Sequence, residues 1–233
     1  MKKHKPYREP RRCLVAFAAV LAGFSLQPAL AQSDEAAEAT HDGLRLVPDS
    51  KAAAVYAKPD ADFSIYNRVM LLDCYVAFRK DWQRDYNREH RSMSGRVTDR
   101  DVERIKGEVA ELFRDVFVEE LDDEGGYEIA DRAAGDVLLI RPAIIDLDIT
   151  APDVRSAERS YTFVESAGAA TLFIELYDSV SGEILARAVD RKAGRDYGRM
   201  QWSTSASNRA EGRRIMRRWA GWLREGLDEV RGK

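Results

Sequence analysis

Residues 169–177 read Ala-Ala-Thr-Leu-Phe-Ile-Glu-Leu-Tyr, residues 178–183 read Asp-Ser-Val-Ser-Gly-Glu, and residues 184–189 read Ile-Leu-Ala-Arg-Ala-Val. The first stretch alternates apolar with mixed side chains, the second is a cluster of turn formers, and the third resumes a strand. That succession is the signature of a β-hairpin. Apolar patterns with the other period lie on either side of it. Upstream, Thr98 suits an N-cap, Asp101 takes the third helical position, and Val97 and Val102 can form a hydrophobic staple. Val102, Ile105, Val109, Leu112, Phe113, Val116, Phe117 and Leu121 then recur at steps of three and four. This predicts an amphipathic helix of about six turns, stopped at Gly125-Gly126. Downstream, residues 206–230 set Ile215, Trp219, Trp222, Leu223, Leu227 and Val230 on one stripe, with Arg213, Arg214, Arg217, Arg218 and Arg224 elsewhere on the helix. The Trp-rich stripe is expected to cover the sheet.

The remaining elements fit the same plan. Residues 53–57 form a short strand. Residues 68–78 read as one strand with Met70, Leu72, Cys74, Val76 and Phe78 on a single face and Asp73 opposite, which makes Cys74 a small buried hydrophobe. Residues 127–130 and 137–149 add strands, and Pro142 inside the latter predicts a bulge or an edge. Between the strand over 68–78 and the helix that starts at Thr98, residues 79–96 are strongly charged, with Trp82 and Tyr86 embedded. Asp81/Arg84 and Asp85/Arg88 stand at helical i, i+3 spacing there. The fold class is α+β: a single mixed or antiparallel sheet with two long amphipathic helices on one face, built by one domain over residues 44–233.

The first thirty-one residues differ from the rest. Lys2, Lys3, Lys5, Arg8, Arg11 and Arg12 precede an apolar run over residues 13–26, and small residues at Ala29 and Ala31 follow. This is the pattern of a secretory signal cleaved after Ala31, with retention as an uncleaved anchor as the alternative. The run is shorter than the roughly 20 residues a membrane span needs. Arg11-Arg12 echoes a twin-arginine signal without its fuller consensus, so the general secretory route is expected. Residues 32–43 read as a flexible acidic leader. The expected location is periplasmic, with no cysteine at the cleavage site to take a lipid.

Composition narrows the function classes. The 233 residues are 45% hydrophobic and 33% charged, which excludes a polytopic membrane protein. The net charge of -3 argues against nucleic acid as a partner. Removing residues 1–31 takes six of 37 basic residues and one of 40 acidic ones, leaving 31 against 39, or -8. It also leaves Cys74 as the one cysteine, so no intrachain disulfide forms.

Motifs for chemistry are missing. No Walker A loop, G-x-G-x-x-G, G-x-S-x-G, H-x-x-x-H or C-x-x-C occurs, so no catalytic residue, cofactor or metal site is assigned. Asp146, Asp148 and Asp153 offer a weak calcium reading, and Asp146/Asp148 with Glu165 a weak glycosidase one; a solvated sheet face accounts for both. Two surface features remain. Arg79, Lys80, Trp82, Arg84 and Tyr86 interleave bases with aromatics, as polyanion platforms do. Arg217 and Arg218, with Arg213 and Arg214, flank Trp219 and Trp222 and suit weak peripheral contact with anionic lipid. Against the lipid reading, moving Trp219 to a membrane would uncover the sheet.

Three stretches carry a resemblance. Residues 57–69 (Ala-Lys-Pro-Asp-Ala-Asp-Phe-Ser-Ile-Tyr-Asn-Arg-Val), residues 176–186 around the hairpin turn, and residues 219–224 (Trp-Ala-Gly-Trp-Leu-Arg) resemble bacterial domain-of-unknown-function family 3313, a group of predicted envelope proteins. The resemblance runs from about residue 44 to residue 230. It implies an exported α+β domain and no particular activity. Many members look lipid-anchored, a pattern from which this sequence departs. The function expected is a non-enzymatic periplasmic protein that binds another envelope protein through the sheet edge or the charged excursion. The rival is a binder of small molecules or peptidoglycan fragments, with or without hydrolytic activity, with a pocket lined by Trp82, Tyr86 or Tyr161.

Overall fold

The computed structural model describes residues 40–90, 96–123, 125–149, 162–166, 169–193, 196–203 and 205–232. The expected signal, residues 32–39 of the leader, Asp153 and Tyr161 lie outside them. In chain order the elements are β1 (Arg45–Leu46), β2 (Ala54–Ala57), a 3-10 turn (Phe63–Ile65), β3 (Arg68–Leu71), β4 (Tyr75–Phe78), α1 (Trp82–Glu89), α2 (Asp99–Leu121), β5 (Glu128–Ile129), β6 (Val137–Asp148), β7 (Thr162–Ser166), β8 (Ala169–Asp178), β9 (Ile184–Ala193), β10 (Asp196–Ser203) and α3 (Ser205–Val230). Eight strands make one mixed sheet in the order β1-β2-β9-β8-β6-β3-β5, with β4 also on β6; β7 and β10 pair separately. The fold is α+β.

The hairpin organises the centre. β8 and β9 pair antiparallel from Ala169↔Ala193 to Tyr177↔Ile184. Asp178 builds the turn: its carboxylate accepts from the Val180 amide at 3.1 Å, the Ser181 amide at 2.6 Å and the Ser181 hydroxyl at 2.8 Å. Gly182 closes it at φ +71°, a backbone that a side chain would strain. Leu172, Ile174 and Leu176 of β8 join Val69, Leu71, Val76, Leu138, Ile140 and Ile144 in one core cluster. Phe113, Val116 and Phe117 of α2 and Ile215, Met216, Trp219 and Ala220 of α3 enter the same cluster. Trp219 donates its indole N–H to the buried carboxylate of Asp190 at 2.7 Å, tying α3 to β9.

α2 starts as its sequence predicts. Thr98 accepts from the Asp101 amide, and the Asp101 carboxylate accepts from the Thr98 amide at 3.0 Å, completing a capping box. Both long helices fall within a few residues of expectation, although Val230 at the end of the α3 stripe is exposed.

Three expectations need correction. Residues 68–78 are two strands, and their buried residues are Val69, Leu71 and Val76, while Leu72 is exposed. The register explains why. Leu71 lies opposite Ile140 and Tyr75 opposite Ala143, so four residues advance on this side against three on β6. The extra residue swaps the inward face between β3 and β4. It falls opposite Pro142. Ile140 turns its carbonyl to this side, where the Leu72 amide donates to it at 3.0 Å. Two residues on, Pro142 faces the same way with no N–H to give, so the ladder breaks there. Second, β6 itself runs straight through Pro142, which pairs with Ile174; its bulge lies between Ile145 and Asp148, with Asp146 at φ +50°. Third, residues 40–43 belong to the folded part: the Thr40 hydroxyl accepts from the Leu44 amide at 3.1 Å, and Asp42 pairs with Arg187 at 2.7 Å.

Candidate functional site

The charged excursion between β4 and α2 folds as a unit of its own. Phe78, Trp82, Tyr86 and His90 fall at steps of four, which puts them on one row of α1 and its approach. Their rings stack in sequence, with centroids 4.0 Å, 5.8 Å and 4.1 Å apart. Trp82 and Tyr86 are only 2% and 6% exposed and form a small core with Val97. The Trp82 indole donates to the Ile149 carbonyl at 3.2 Å. These rings are therefore interior, and neither supplies a stacking platform or the wall of an aromatic pocket.

The polar side chains of α1 divide into two groups. One group is structural. Arg79 donates through Nε to Asp148 at 2.8 Å and through an Nη to Asp85 at 3.1 Å, joining β4, β6 and α1. Arg79 holds the Asp85 carboxyl below the usual carboxylate range. Gln83 and Asn87 clamp the chain that leads into α2. Asn87 exchanges two hydrogen bonds with the Val97 backbone, at 2.7 Å and 2.8 Å. Gln83 donates to the Val97 carbonyl at 3.3 Å and to Asp99 at 2.9 Å.

The second group faces outward. Arg84, Arg88 and Arg96, with Gln83 and Asn87, line a cleft of about 380 Å³. No carboxylate is among the lining residues. Arg84 and Arg88 each spend one nitrogen on neighbouring acids, at 3.2 Å to Asp81, 3.3 Å to Asp85 and 3.5 Å from Arg88 to Asp85. Among the described residues Arg96 has no ion-pair partner. Lys80 is exposed beside this group. The structure thus brings Arg84 together with Arg88 and Arg96 and places Arg79, Trp82 and Tyr86 behind them as support. Arg88 was legible only as the ion-pair partner of Asp85, although its spacing of four from Arg84 puts the two side by side, and Arg96 escaped the sequence reading because the clamp that seats it is a tertiary feature.

The other basic stripe is engaged differently. Arg217 reaches Glu120 of α2 at 2.8 Å and Glu119 at 3.4 Å, and Arg213 reaches Glu119 at 3.2 Å. Arg218 is exposed. Trp219 is buried, and Trp222 lies half-buried beneath the Lys192 ammonium, 4.8 Å from its ring centre. Arg213 and Arg217 thereby join the two long helices.

On the sheet face away from Leu172 and Ile174, Glu175 takes Arg187 at 2.9 Å, and Arg187 continues to Asp42. Cys74 lies half-buried against the main core, and burial pushes its thiol up to about 12. Asp148 is committed to Arg79, and Asp146 sits in the β6 bulge. Among the described residues no three His, Cys, Asp or Glu side chains gather as a metal site requires, and no helix is long and apolar enough to cross a membrane.

Fold and surface together define an α+β domain with a mixed eight-stranded sheet and a separately cored, arginine-bearing excursion. The chain belongs to the family described as Protein of unknown function (DUF3313), whose model matches residues 36–221. No curated protein matches it. Among solved structures it is similar to the PelC dodecamer from Paraburkholderia phytofirmans, at 9% identity over 73% of this chain and 98% of that one, with a TM-score of 0.36. It is also similar to protein XCC0632 from Xanthomonas campestris, of family DUF330, at 13% identity over 76% and 94% of the two chains and a TM-score of 0.39.

The stretches that carry the family pattern meet in the fold. Tyr66 donates its hydroxyl to Asp178 at 2.9 Å, across 112 positions of sequence. Asp62 holds the turn ahead of Tyr66 by accepting from the Ser64 amide at 2.9 Å. Trp219 anchors α3. These residues build the scaffold.

Proposed function

We propose that the chain is exported to the periplasm, released from residues 1–31, and works there as a non-enzymatic binding protein for another envelope component. Its contact surface is the outward side of α1. The observation that carries this reading is the division of labour in the excursion. Its aromatic residues and its amide clamp are consumed in holding the unit rigid, while three arginines line a cleft with no carboxylate in its wall.

The sheet edges are poorer surfaces. β1 and β5, which end the main strand order, are two residues long, and β4 on the flank of β6 is four, so each presents few unpaired ladder groups to a partner. Lipid contact through α3 is also poorly supported, since Arg213 and Arg217 are bound to acids of α2 and Trp219 is interior.

Fractionation of cells tests the proposal. The protein should leave with the osmotic-shock fluid, begin at Gln32, and co-purify with one envelope component. That component should be lost when Arg84, Arg88 and Arg96 are all changed to Gln and kept when Arg218→Gln is made. A protein retained in the membrane with residues 1–31 attached, or a partner indifferent to the triple change, would overturn it.

A further inference from the structure

We infer that the cleft lined by Arg84, Arg88 and Arg96 is a binding site for a phosphate monoester, an inference that rests on the reading of α1 as the contact surface.

Arg84 and Arg88 stand four residues apart on one helix, which places their Cβ atoms roughly 5–6 Å from each other. Like charges at that spacing repel. Asp81 and Asp85 relieve the repulsion only in part, because each arginine gives them a single terminal nitrogen. The remaining donors of both guanidinium groups have no other partner among the described residues. Arg96 adds a third cation to the same cleft, and its place is built. The Val97 backbone next to it is bonded on both its N–H and its carbonyl by Asn87, and again on its carbonyl by Gln83. Asp85 divides its carboxylate, since Arg79 also donates to it at 3.1 Å.

The donor set selects the anion. One planar guanidinium satisfies a carboxylate with two parallel hydrogen bonds. Three guanidinium groups donating in pairs exceed the roughly four lone-pair sites of one carboxylate. A terminal phosphate ester offers three acceptor oxygens and about -1.5 to -2 of charge at neutral pH. The cleft's 380 Å³ equals the share of roughly a dozen waters at about 30 Å³ each, so a phosphate leaves room for a substituent such as glycerol or a sugar. A flat anionic surface suits the molecule less, since the chain is itself negative, at -3 over the whole sequence.

The test is a phosphorus-31 NMR titration of glycerol 3-phosphate with the purified full chain, the double variant R84Q/R88Q, and the single variants R96Q, R96K and R218Q. The native protein should saturate with a Kd on the order of 1 mM or tighter. R96Q should weaken binding at least tenfold and R84Q/R88Q further. R96K, which keeps the charge but loses the fork, should fall between native and R96Q, and it serves if R96Q does not fold. R218Q should stay within twofold of native, and acetate should not compete. Sedimentation with phosphatidylcholine vesicles containing phosphatidic acid separates the sources. Arginine-dependent sedimentation assigns a lipid headgroup, and binding of glycerol 3-phosphate without sedimentation assigns a soluble ester. Failure to saturate with either probe, equal loss in R218Q, or full competition by acetate would overturn the inference. If the partner of the preceding section still depends on the three arginines while phosphate does not bind, the docking surface stands and the phosphate assignment alone falls.

Discussion

Tyr66 shows how single side chains hold this fold. Burial first, and then its bond to Asp178, push its phenol up to about 12. Asp178 is held below the usual carboxylate range, chiefly by the Ser181 amide and hydroxyl, with Tyr66 contributing. The unfolded chain therefore takes up the Asp178 proton before the folded one does. The stabilisation from this carboxylate is complete above about pH 4 and is lost as pH falls through the folded value. Tyr66→Phe removes one hydrogen bond to a charged acceptor and should cost roughly 1.5 kcal/mol at pH 7 in a urea melt. The gap between the two proteins should shrink as the melt is repeated from pH 5 towards pH 2. A constant gap would mean that the hydroxyl acts through packing and not through Asp178.

At the scale of elements, α1 stands on one aromatic row. Trp82→Ala deletes the middle of the Phe78–Trp82–Tyr86–His90 stack and the bond to Ile149, and buried Trp-to-Ala changes cost about 3–5 kcal/mol. Because Trp82 and Tyr86 belong to a small core with Val97 that touches the main one through Phe78 and Ile149, the loss should be mainly local. Hydrogen exchange should accelerate over residues 82–89 and 96–99 while β8 and β9 keep their protection; uniform acceleration would refute a separate unit. How far such elements could be read in advance depended on the range of the forces that make them. The hairpin and the two long helices are written in neighbours: the turn formers of 178–183, the cap at Thr98, the apolar steps of three and four. The break between β3 and β4 is not, because its cause is Pro142, which meets Leu72 only after the sheet assembles. The same limit applied to the candidate site. Interleaved arginine and aromatic residues suggest a platform, but the inward row of rings begins at Phe78 in β4 and crosses into α1, so no single periodicity shows it whole. Val97's two bonds to Asn87, which seat Arg96, join positions that no periodicity connects.

At the scale of the whole molecule, stability and binding are assigned to different regions. The main core joins the sheet to α2 and α3, Arg213 and Arg217 bind the two helices through Glu119 and Glu120, and the main strand order ends in strands of two residues. Three arginines, Arg84, Arg88 and Arg96, gather instead around one cleft on the excursion. On this reading the outward side of α1 meets a partner in the envelope. A photo-crosslinking residue placed at position 88, and separately at position 218, in intact cells tests it most directly. Position 88 should give one discrete crosslinked species, diminished when Arg84 and Arg96 are changed to Gln, and position 218 should give none. Equal crosslinking from both positions, or none from position 88, would contradict it.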